Sequence, residues 1–234
     1  MTEKEFIEYL KKINIKINDE QLKQFDRYYQ LLIEWNEKIN LTSIIDKKQV
    51  YLKHFYDSAT IAQVIDLNNL DNLCDVGTGA GFPGLVLKIL YPNLNVTLID
   101  SLNKRIKFLE KVIVELGLKK VEVIHARVEE YAKNNREKFD VVTARAVAPL
   151  NILLEYCLPL VKVEKYFIPM KGNISQEIGE CQKALKILNG IVIEKKEFLL
   201  PIENSHRTIL KIKKMSATSN EYPRKNSEIK KRPL

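Results

Sequence analysis

The sequence predicts an α/β fold in which a mostly parallel sheet is preceded by helices. From Leu73 onward, short apolar runs alternate with segments of helical spacing, the order produced when crossover helices join parallel strands. Before Leu73 the apolar residues recur at intervals of three and four, which indicates helices. The last two apolar runs, 190–194 and 208–212, are joined through Pro201 with no helical pattern between them. We therefore expect them to pair antiparallel.

The pattern divides the chain into three parts. Residues 1–66 form a helical lead-in packed on the main domain, residues 67–214 form the α/β domain, and residues 215–234 form a basic tail, with 216–220 as a flexible link. Helices are expected over 3–12, 19–38, 48–64, 83–91, 103–116, 127–134, 150–161 and 173–188. The first five strands are expected near 73–76, 95–99, 121–125, 139–144 and 165–170.

Composition limits the classes of protein to consider. The 234 residues, 45% of them hydrophobic, suit one domain with its own core. No stretch approaches the roughly 20 apolar residues of a membrane span, and the acidic start lacks an apolar signal region, so we expect a cytoplasmic protein. Cys74, Cys157 and Cys181 are an odd, scattered set. This pattern favours reduced thiols and predicts no metal site.

The positive charge is concentrated at the end of the chain. The net charge is +8, and eight basic residues face two acidic ones after residue 210, which leaves the body nearly neutral. A basic segment on a neutral body is typical of contact with phosphate groups. A solvated tail without a partner is the alternative that charge alone leaves open.

A glycine-rich turn follows the first predicted strand, in the sequence Asp75-Val76-Gly77-Thr78-Gly79-Ala80-Gly81-Phe82-Pro83-Gly84. Glycine at 77, 79 and 81 permits positive φ and lets backbone N–H groups approach a ligand. Such a ligand would lie at the N-terminus of the following helix. The turn therefore predicts a nucleotide-binding site.

Two ligands compete for this turn. Gly79-x-Gly81-x-x-Gly84, with Asp100 at the end of the next strand, matches a dinucleotide fingerprint and keeps an NAD-linked oxidoreductase as an alternative. Asp75 at the strand end, however, would repel a pyrophosphate and attract the ammonium of a methionine. The longer pattern therefore favours S-adenosylmethionine.

Three later residues extend the predicted site, because ligands bind beyond the carboxyl ends of parallel strands. Asp100 would bind ribose hydroxyls, Glu129 could face the adenine edge, and Arg145 would stand at the mouth of the pocket. Glu129 has a second interpretation, as an acid favoured at a helix start. His54 and Asp57 lie three residues apart on a predicted helix, where a surface hydrogen bond is the simpler reading, so we assign them no chemistry.

Several motifs together resemble the bacterial 7-methylguanosine methyltransferases of small-subunit ribosomal RNA, the glucose-inhibited division protein B family. The motifs are Trp35-Asn36-x-x-x-Asn40-Leu41-Thr42, His54-x-x-Asp57-Ser58, the turn from Asp75 to Gly84, Lys104-Arg105-x-x-Phe108-Leu109, Arg145-Ala146-x-Ala148 and Tyr222-Pro223-Arg224-Lys225. The resemblance implies a class I, Rossmann-like methyltransferase fold with a seven-stranded, mostly parallel sheet and an antiparallel last strand. It also implies that S-adenosylmethionine is bound through Gly77, Phe82, Asp100, Val128, Glu129 and Arg145.

The resemblance further implies methylation of nitrogen 7 of a guanosine in 16S ribosomal RNA. That nitrogen carries an in-plane lone pair, so the lack of an obvious general base agrees with it. Arg145 would position the substrate, but its charge beside a cationic product would need a partner, either Asp75 or a phosphate. An RNA-binding module with an inactive site is a further alternative.

The basic residues near the mouth and in the tail are the predicted RNA contacts. They are His206, Arg207, Arg224, Lys225, Lys231 and Arg232. We expect a monomer whose partner is small-subunit ribosomal RNA or the subunit itself. Naked RNA, an assembly intermediate and the mature subunit remain open as substrates.

Overall fold

The computed structural model describes residues 1–174 and 177–234, and its centre is a single seven-stranded sheet. The strands are β1 (Asn72–Val76), β2 (Asn95–Asp100), β3 (Val121–His125), β4 (Phe139–Arg145), β5 (Val161–Lys171), β6 (Gly190–Leu199) and β7 (His206–Lys214). Their order is β3-β2-β1-β4-β5-β7-β6. The first five strands pair parallel, whereas β7 pairs antiparallel with both β5 and β6. The predicted sheet is confirmed.

Helices precede the sheet, connect its strands and follow its last strand. They are α1 (Glu3–Lys12), α2 (Asp19–Ile39), α3 (Lys47–Val50), α4 (Asp57–Ala59), α5 (Gly84–Leu90), α6 (Asn103–Glu115), α7 (Val128–Asn134), α8 (Leu150–Cys157), α9 (Glu177–Glu180), α10 (Gln182–Ile187) and α11 (Asn226–Lys231). Side chains cap the first two, with Thr2 and Asn18 each forming a reciprocal capping box. Among the described residues, no helix combines the length and apolarity needed to cross a membrane.

Two predicted helices differ most from the structure. The helix expected over 150–161 ends at Cys157, a 3₁₀ turn follows over Leu158–Leu160, and β5 begins at Val161. Pro159 explains the early end, because proline lacks the N–H that a continuing helix would use. The helix expected over 173–188 is two short helices, α9 and α10, and its residues 175–176 lie outside the described part.

The lead-in helices pack on one face of the sheet. Residues 47–63 form one continuous helical segment that contains a π-helical turn, Tyr51–Tyr56, between α3 and α4. Phe6, Phe25 and Phe55 are fully buried in a core shared with α5, α6 and the sheet. The lead-in is thus held by apolar burial against the α/β domain, and it carries His54 to the carboxyl ends of the strands.

The other face is covered by α7, α8 and α10, and the tail packs there as well. Ile229 of α11 is fully buried, and Arg136 donates to the carbonyl groups of Thr218, Ser219 and Tyr222. The link expected to be flexible at 216–220 is therefore tied to the domain. Lys214, counted above with the basic end, is fully buried at the end of β7 and pairs with Glu137 at 3.1 Å.

Candidate active site

The glycine-rich turn joins β1 to α5 at the carboxyl edge of the sheet. Gly77, Gly79 and Gly81 have φ angles of 65°, 62° and 93°, in the region that side chains disfavour. The N–H groups of Gly77 and Thr78 donate to the Ile99 carbonyl of β2, which anchors the turn. The positive φ angles predicted from the sequence are confirmed.

Asp75 lies beneath the turn, which differs from the predicted contact with the ligand. It is fully buried, and its Oδ2 accepts from the Thr78 hydroxyl at 2.6 Å and the Gly84 N–H at 2.7 Å. Burial is the main cause that raises its pKa to about 6. Oδ1 is buried without a hydrogen-bond partner. Asp75 fastens the turn to the start of α5, and its attraction for a ligand ammonium stays a prediction.

A cavity of about 180 Å³ opens beside the turn at the carboxyl ends of β1, β2 and β3. We call it the donor cavity, after the methyl donor that the sequence predicts. It is lined by Val76, Gly77, Ile99, Asp100, Ser101, Ala126, Arg127, Val128, Glu129, Val147, Ala148, Tyr156, Asn226 and Lys230. Four predicted ligand-binding residues, Gly77, Asp100, Val128 and Glu129, are thus brought to one cavity.

Asp100 is largely occupied by the protein itself. Its carboxylate accepts from the Gly79 N–H at 3.0 Å, the Leu102 N–H at 2.9 Å and the Arg105 Nη1 at 3.2 Å. A carboxylate offers about four acceptor positions, so one remains for a ribose hydroxyl. Asp100 therefore fits the predicted contact while also holding the turn against β2.

Glu129 gives the strongest sign that the donor cavity takes a ligand. Glu129 as a whole is 5% exposed. Its carboxylate makes neither a hydrogen bond nor an ion pair within the part of the chain that the structure describes. Neither carboxylate oxygen is closed off from solvent, so Glu129 presents open acceptor positions to the donor cavity. The exocyclic amino group of adenine would supply the missing donor, so the residues present fit the adenosine end of S-adenosylmethionine.

Arg145, at the end of β4, pairs with a residue of the lead-in. Its Nη1 donates to Asp57 Oδ2 at 3.0 Å and to the Lys53 carbonyl at 2.9 Å. Asp57 Oδ1 accepts from the Nε of Arg207 on β7, also at 3.0 Å. A carboxylate that is 4% exposed therefore bridges two guanidinium groups. The partner expected for Arg145, Asp75 or a phosphate, is Asp57 in the structure.

His54 and Phe82 form the contact between the lead-in and the glycine turn. Their rings stack with centroids 4.5 Å apart, and the His54 Nε2 lies 2.9 Å from the Thr42 hydroxyl. Burial, aided by the charge of Arg145, lowers the pKa of His54 to about 3. The Phe82 side chain, 7% exposed, is committed to this packing and does not line the donor cavity, so its predicted ligand contact stays a prediction.

A second, larger cavity of about 360 Å³ lies between the lead-in and the ends of β4, β5 and β7. We call it the acceptor cavity, after the methyl acceptor that the resemblance predicts. It is lined by Ile44, Lys53, His54, Asp57, Thr60, Arg145, Ala146, Met170, Lys171, Gly172, Phe198, Arg207, Thr208 and Ile209. Ala146 lines the acceptor cavity and Val147 lines the donor cavity, so consecutive residues of one loop separate the two.

The predicted RNA contacts fall into two groups. Arg224 is held in the protein, where its Nη2 pairs with the fully buried Glu155 at 2.6 Å, and Arg207 is held by Asp57. His206 and the tail residues Lys225, Lys231 and Arg232 are exposed. Only the exposed group is free to meet a phosphate without breaking an ion pair, and RNA binding by all six stays a prediction.

Sequence reasoning left several residues of these cavities without a role. Asp57 and His54 stood in a quoted motif, and that motif was the signal that could have marked them. Tyr156, Asn226 and Lys230 had no such signal, because an aromatic residue in α8 and two polar residues in a basic tail are ordinary at those places. Folding alone brings them to the donor cavity.

The sheet order, the glycine turn and the buried acids at the strand ends define a class I methyltransferase. The model of the family described as "rRNA small subunit methyltransferase G" (GidB) matches residues 21–206. The chain is 50% identical to the ribosomal RNA small subunit methyltransferase G of an Exiguobacterium species, over all of both chains. It is 48% identical to that of Bacillus subtilis, over 100% of this chain and 99% of the relative. The chain belongs to this family.

Solved structures support the fold. An S-adenosylmethionine-dependent O-methyltransferase of Thermotoga maritima matches 80% of this chain and 73% of its own, with a TM-score of 0.53 and 18% identity. The structure of M. jannaschii TYW2 in complex with AdoMet matches 63% of this chain and 71% of its own, with a TM-score of 0.53 and 14% identity. At such identities the likeness concerns the fold.

Proposed function

We propose that this chain methylates nitrogen 7 of a guanosine in small-subunit ribosomal RNA, with S-adenosylmethionine as donor. The observation that carries the proposal is the pair of cavities separated by Ala146 and Val147. One is lined by Glu129, whose carboxylate has no hydrogen-bond partner among the described residues, and the other is lined by guanidinium groups. The names of the full-length relatives support ribosomal RNA as the substrate class. S-adenosylmethionine supplies a methyl group activated by its cationic sulfonium.

The acceptor cavity suits an atom that needs no deprotonation. His54 is a very weak base, because its pKa is lowered to about 3, and Asp57 is already engaged by two arginines. Burial raises the pKa of the thiols of Cys74 and Cys157, which argues against a thiolate nucleophile. Guanine nitrogen 7 has a lone pair available at neutral pH. The contribution of the protein is then to hold the base near the donor and in line with it, which lowers the barrier by proximity.

The ion pairs of the acceptor cavity also suit a cationic product. A guanine methylated at nitrogen 7 carries a positive charge, which a free guanidinium would repel. Asp57 offsets part of the charge of Arg145 and Arg207 through contacts of 3.0 Å. The remaining N–H groups of the two arginines can still donate to guanine O6 or to a phosphate.

We further propose that the enzyme acts as a cytoplasmic monomer and that its exposed basic residues contact RNA. His206 lies at the start of β7, near the acceptor cavity, and Lys225, Lys231 and Arg232 lie in the tail. Contacts of cations with phosphates weaken steeply as salt rises. RNA binding should therefore fall with salt, and it should fall less steeply after Lys225, Lys231 and Arg232 are changed to alanine.

The test is methyl transfer from labelled S-adenosylmethionine to unmethylated small subunits, with digestion of the RNA and mass spectrometry of the nucleosides. We expect 7-methylguanosine at one position. Parallel reactions with naked RNA, assembly intermediates and mature subunits identify the substrate form. The Gly179→Ala variant is the control, because a Cβ there meets no atom within 4 Å. Binding of NADH without S-adenosylmethionine, or methylation of another atom, would overturn the proposal.

A further inference from the structure

The outer wall of the donor cavity is built by the C-terminal tail. Asn226 and Lys230 of α11 line the cavity together with the strand ends, and their spacing of four places them on one face of the helix. Ile229, between them, is fully buried against the core on this side of the sheet. The basic tail, which its composition predicts to contact RNA, therefore also lines the cavity that is predicted to bind the methyl donor.

The tail is fixed to the domain by buried, charge-assisted contacts. Glu155 of α8 is fully buried and accepts from the backbone N–H of Arg224 at 2.9 Å, from its Nε at 2.8 Å and from its Nη2 at 2.6 Å. The next residue, Tyr156, donates its hydroxyl to the Oδ1 of Asn226. Ionised hydrogen bonds of this kind are stronger than neutral ones. They hold α11 beside the cavity.

Asn226 and Glu129 offer complementary groups to one kind of ligand. The amide oxygen of Asn226 is taken by Tyr156, and its amide nitrogen makes no hydrogen bond to any described residue. Glu129 presents an acceptor to the same cavity and has no hydrogen-bond partner among the described residues. One free donor and one free acceptor in the same cavity match the ring nitrogens and the amino group of adenine, which are acceptors and a donor respectively.

The size of the cavity agrees with close contact at this wall. Its volume of about 180 Å³ is small for a ligand site, since such sites usually measure about 300–1,000 Å³. The inner walls are strand ends and a turn that are hydrogen-bonded to one another. A nucleoside in a cavity of this size would reach the wall to which Tyr156, Asn226 and Lys230 contribute.

We propose that Asn226 helps to bind S-adenosylmethionine. Its amide nitrogen contacts the adenine, and the hydrogen bond from the Tyr156 hydroxyl to its Oδ1 orients the amide. The proposal rests on the proposed function, because it takes S-adenosylmethionine as the ligand. It names a contact that the glycine turn and the strand-end acids do not provide. It also assigns α11 a role at the donor site that is separate from any contact of the exposed tail residues with RNA.

The test compares dissociation constants for S-adenosylmethionine and S-adenosylhomocysteine, measured by calorimetry on the full chain. In Asn226→Ala, both constants should rise by about fivefold to tenfold, the effect of one lost hydrogen bond in a closed site. The two ligands share the adenosine and the amino-acid chain and differ only at the sulfur, so equal effects exclude a contact that depends on the methyl group or the sulfonium charge. In the control Ser227→Ala, an exposed neighbour, both constants should change less than twofold.

A second variant separates binding from attachment of the tail. Tyr156→Phe loses the hydrogen bond to Asn226 but keeps the amide, so its dissociation constants should rise only about twofold, as expected for a lost orienting bond. Equal effects of Asn226→Ala and Tyr156→Phe, or values within twofold of wild type for Asn226→Ala, would overturn the proposal while leaving the proposed function intact. Failure of the wild-type chain to bind either ligand would overturn both.

Discussion

Changing Asp57 to asparagine removes the buried carboxylate that bridges Arg145 and Arg207. In the folded protein this residue is 4% exposed, and each of its oxygens accepts from one guanidinium at 3.0 Å. The asparagine keeps one acceptor oxygen but loses the negative charge. Two cations then share the rim of the acceptor cavity without compensation.

The expected cost follows from the burial of the two pairs. Breaking a buried ion pair costs about 3–5 kcal/mol. The side chains of Arg145 and Arg207 remain 13% and 22% exposed, so water screens them in part, and the asparagine oxygen retains one hydrogen bond. We expect the free energy of unfolding to fall by about 2–3 kcal/mol, or roughly 5–10 °C in Tm for a chain of this length.

Urea unfolding and steady-state methyl transfer measure the two consequences. We expect kcat/KM for the RNA acceptor to fall by about tenfold or more, as proximity effects are sensitive to misplaced groups. The dissociation constant of S-adenosylmethionine should stay within about twofold, because Asp57 does not line the donor cavity. The matched control is Asp19→Asn, an exposed acid in the first turn of α2.

An Asp57→Asn variant that unfolds with the wild-type free energy and methylates RNA at the wild-type rate would refute the role assigned to Asp57. A double-mutant cycle with Arg207→Gln adds a second check. The coupling energy of this contacting pair should be on the order of 1 kcal/mol or more. Additive effects would mean that the ion pair contributes nothing to stability.

Three further predictions concern the turn and the two groups with shifted pKa. In Gly77→Ala, a Cβ would lie 2.6 Å from the Val147 side chain at a φ of +65°, so the free energy of unfolding should fall by about 1–3 kcal/mol. Calorimetry should also show weaker binding of S-adenosylmethionine, and an unchanged dissociation constant would contradict this. The pKa of His54 is lowered from 6.5 to about 3, so its contribution to the free energy of unfolding is complete above pH 6.5 and declines as pH falls toward 3. In His54→Gln, the free energy of unfolding measured in urea should therefore depend less on pH between 6.5 and 4 than in the wild type. The pKa of Asp75 is raised from 3.8 to about 6, so its contribution to the free energy of unfolding is greatest below pH 3.8 and is lost as pH rises through 6. Relative to Asp75→Asn, the free energy of unfolding of the wild type should fall by on the order of 3 kcal/mol across that window. Parallel pH profiles of unfolding for the two proteins would refute the shift.

The sheet and the glycine turn were predictable because local sequence encodes them. Alternating apolar runs and helical periods specify strands and crossover helices, and a φ of +93° at Gly81 is readily accepted only by glycine. Pro159 could also have placed the end of α8 correctly. These features depend on residues close in sequence.

The ion pairs were not predictable in the same way. Asp57 meets Arg145 and Arg207 across 88 and 150 residues, and no local pattern states which distant cation a carboxylate will contact. Composition also gave no sign that two cations of the basic end, Lys214 and Arg224, are paired with acids of the domain. A charge count does not distinguish a solvated lysine from one that is buried and neutralised.

The sequence by itself determined the fold class, the glycine turn and, through its motifs, the family. Only the tertiary structure decided that Asp75 holds the turn from below, that Asp57 neutralises Arg145, and that α11 closes the donor cavity. The physical reason is the range of the interactions. Backbone conformation and periodicity are properties of neighbouring residues, whereas the partner of a charge and the walls of a cavity depend on how separate elements pack.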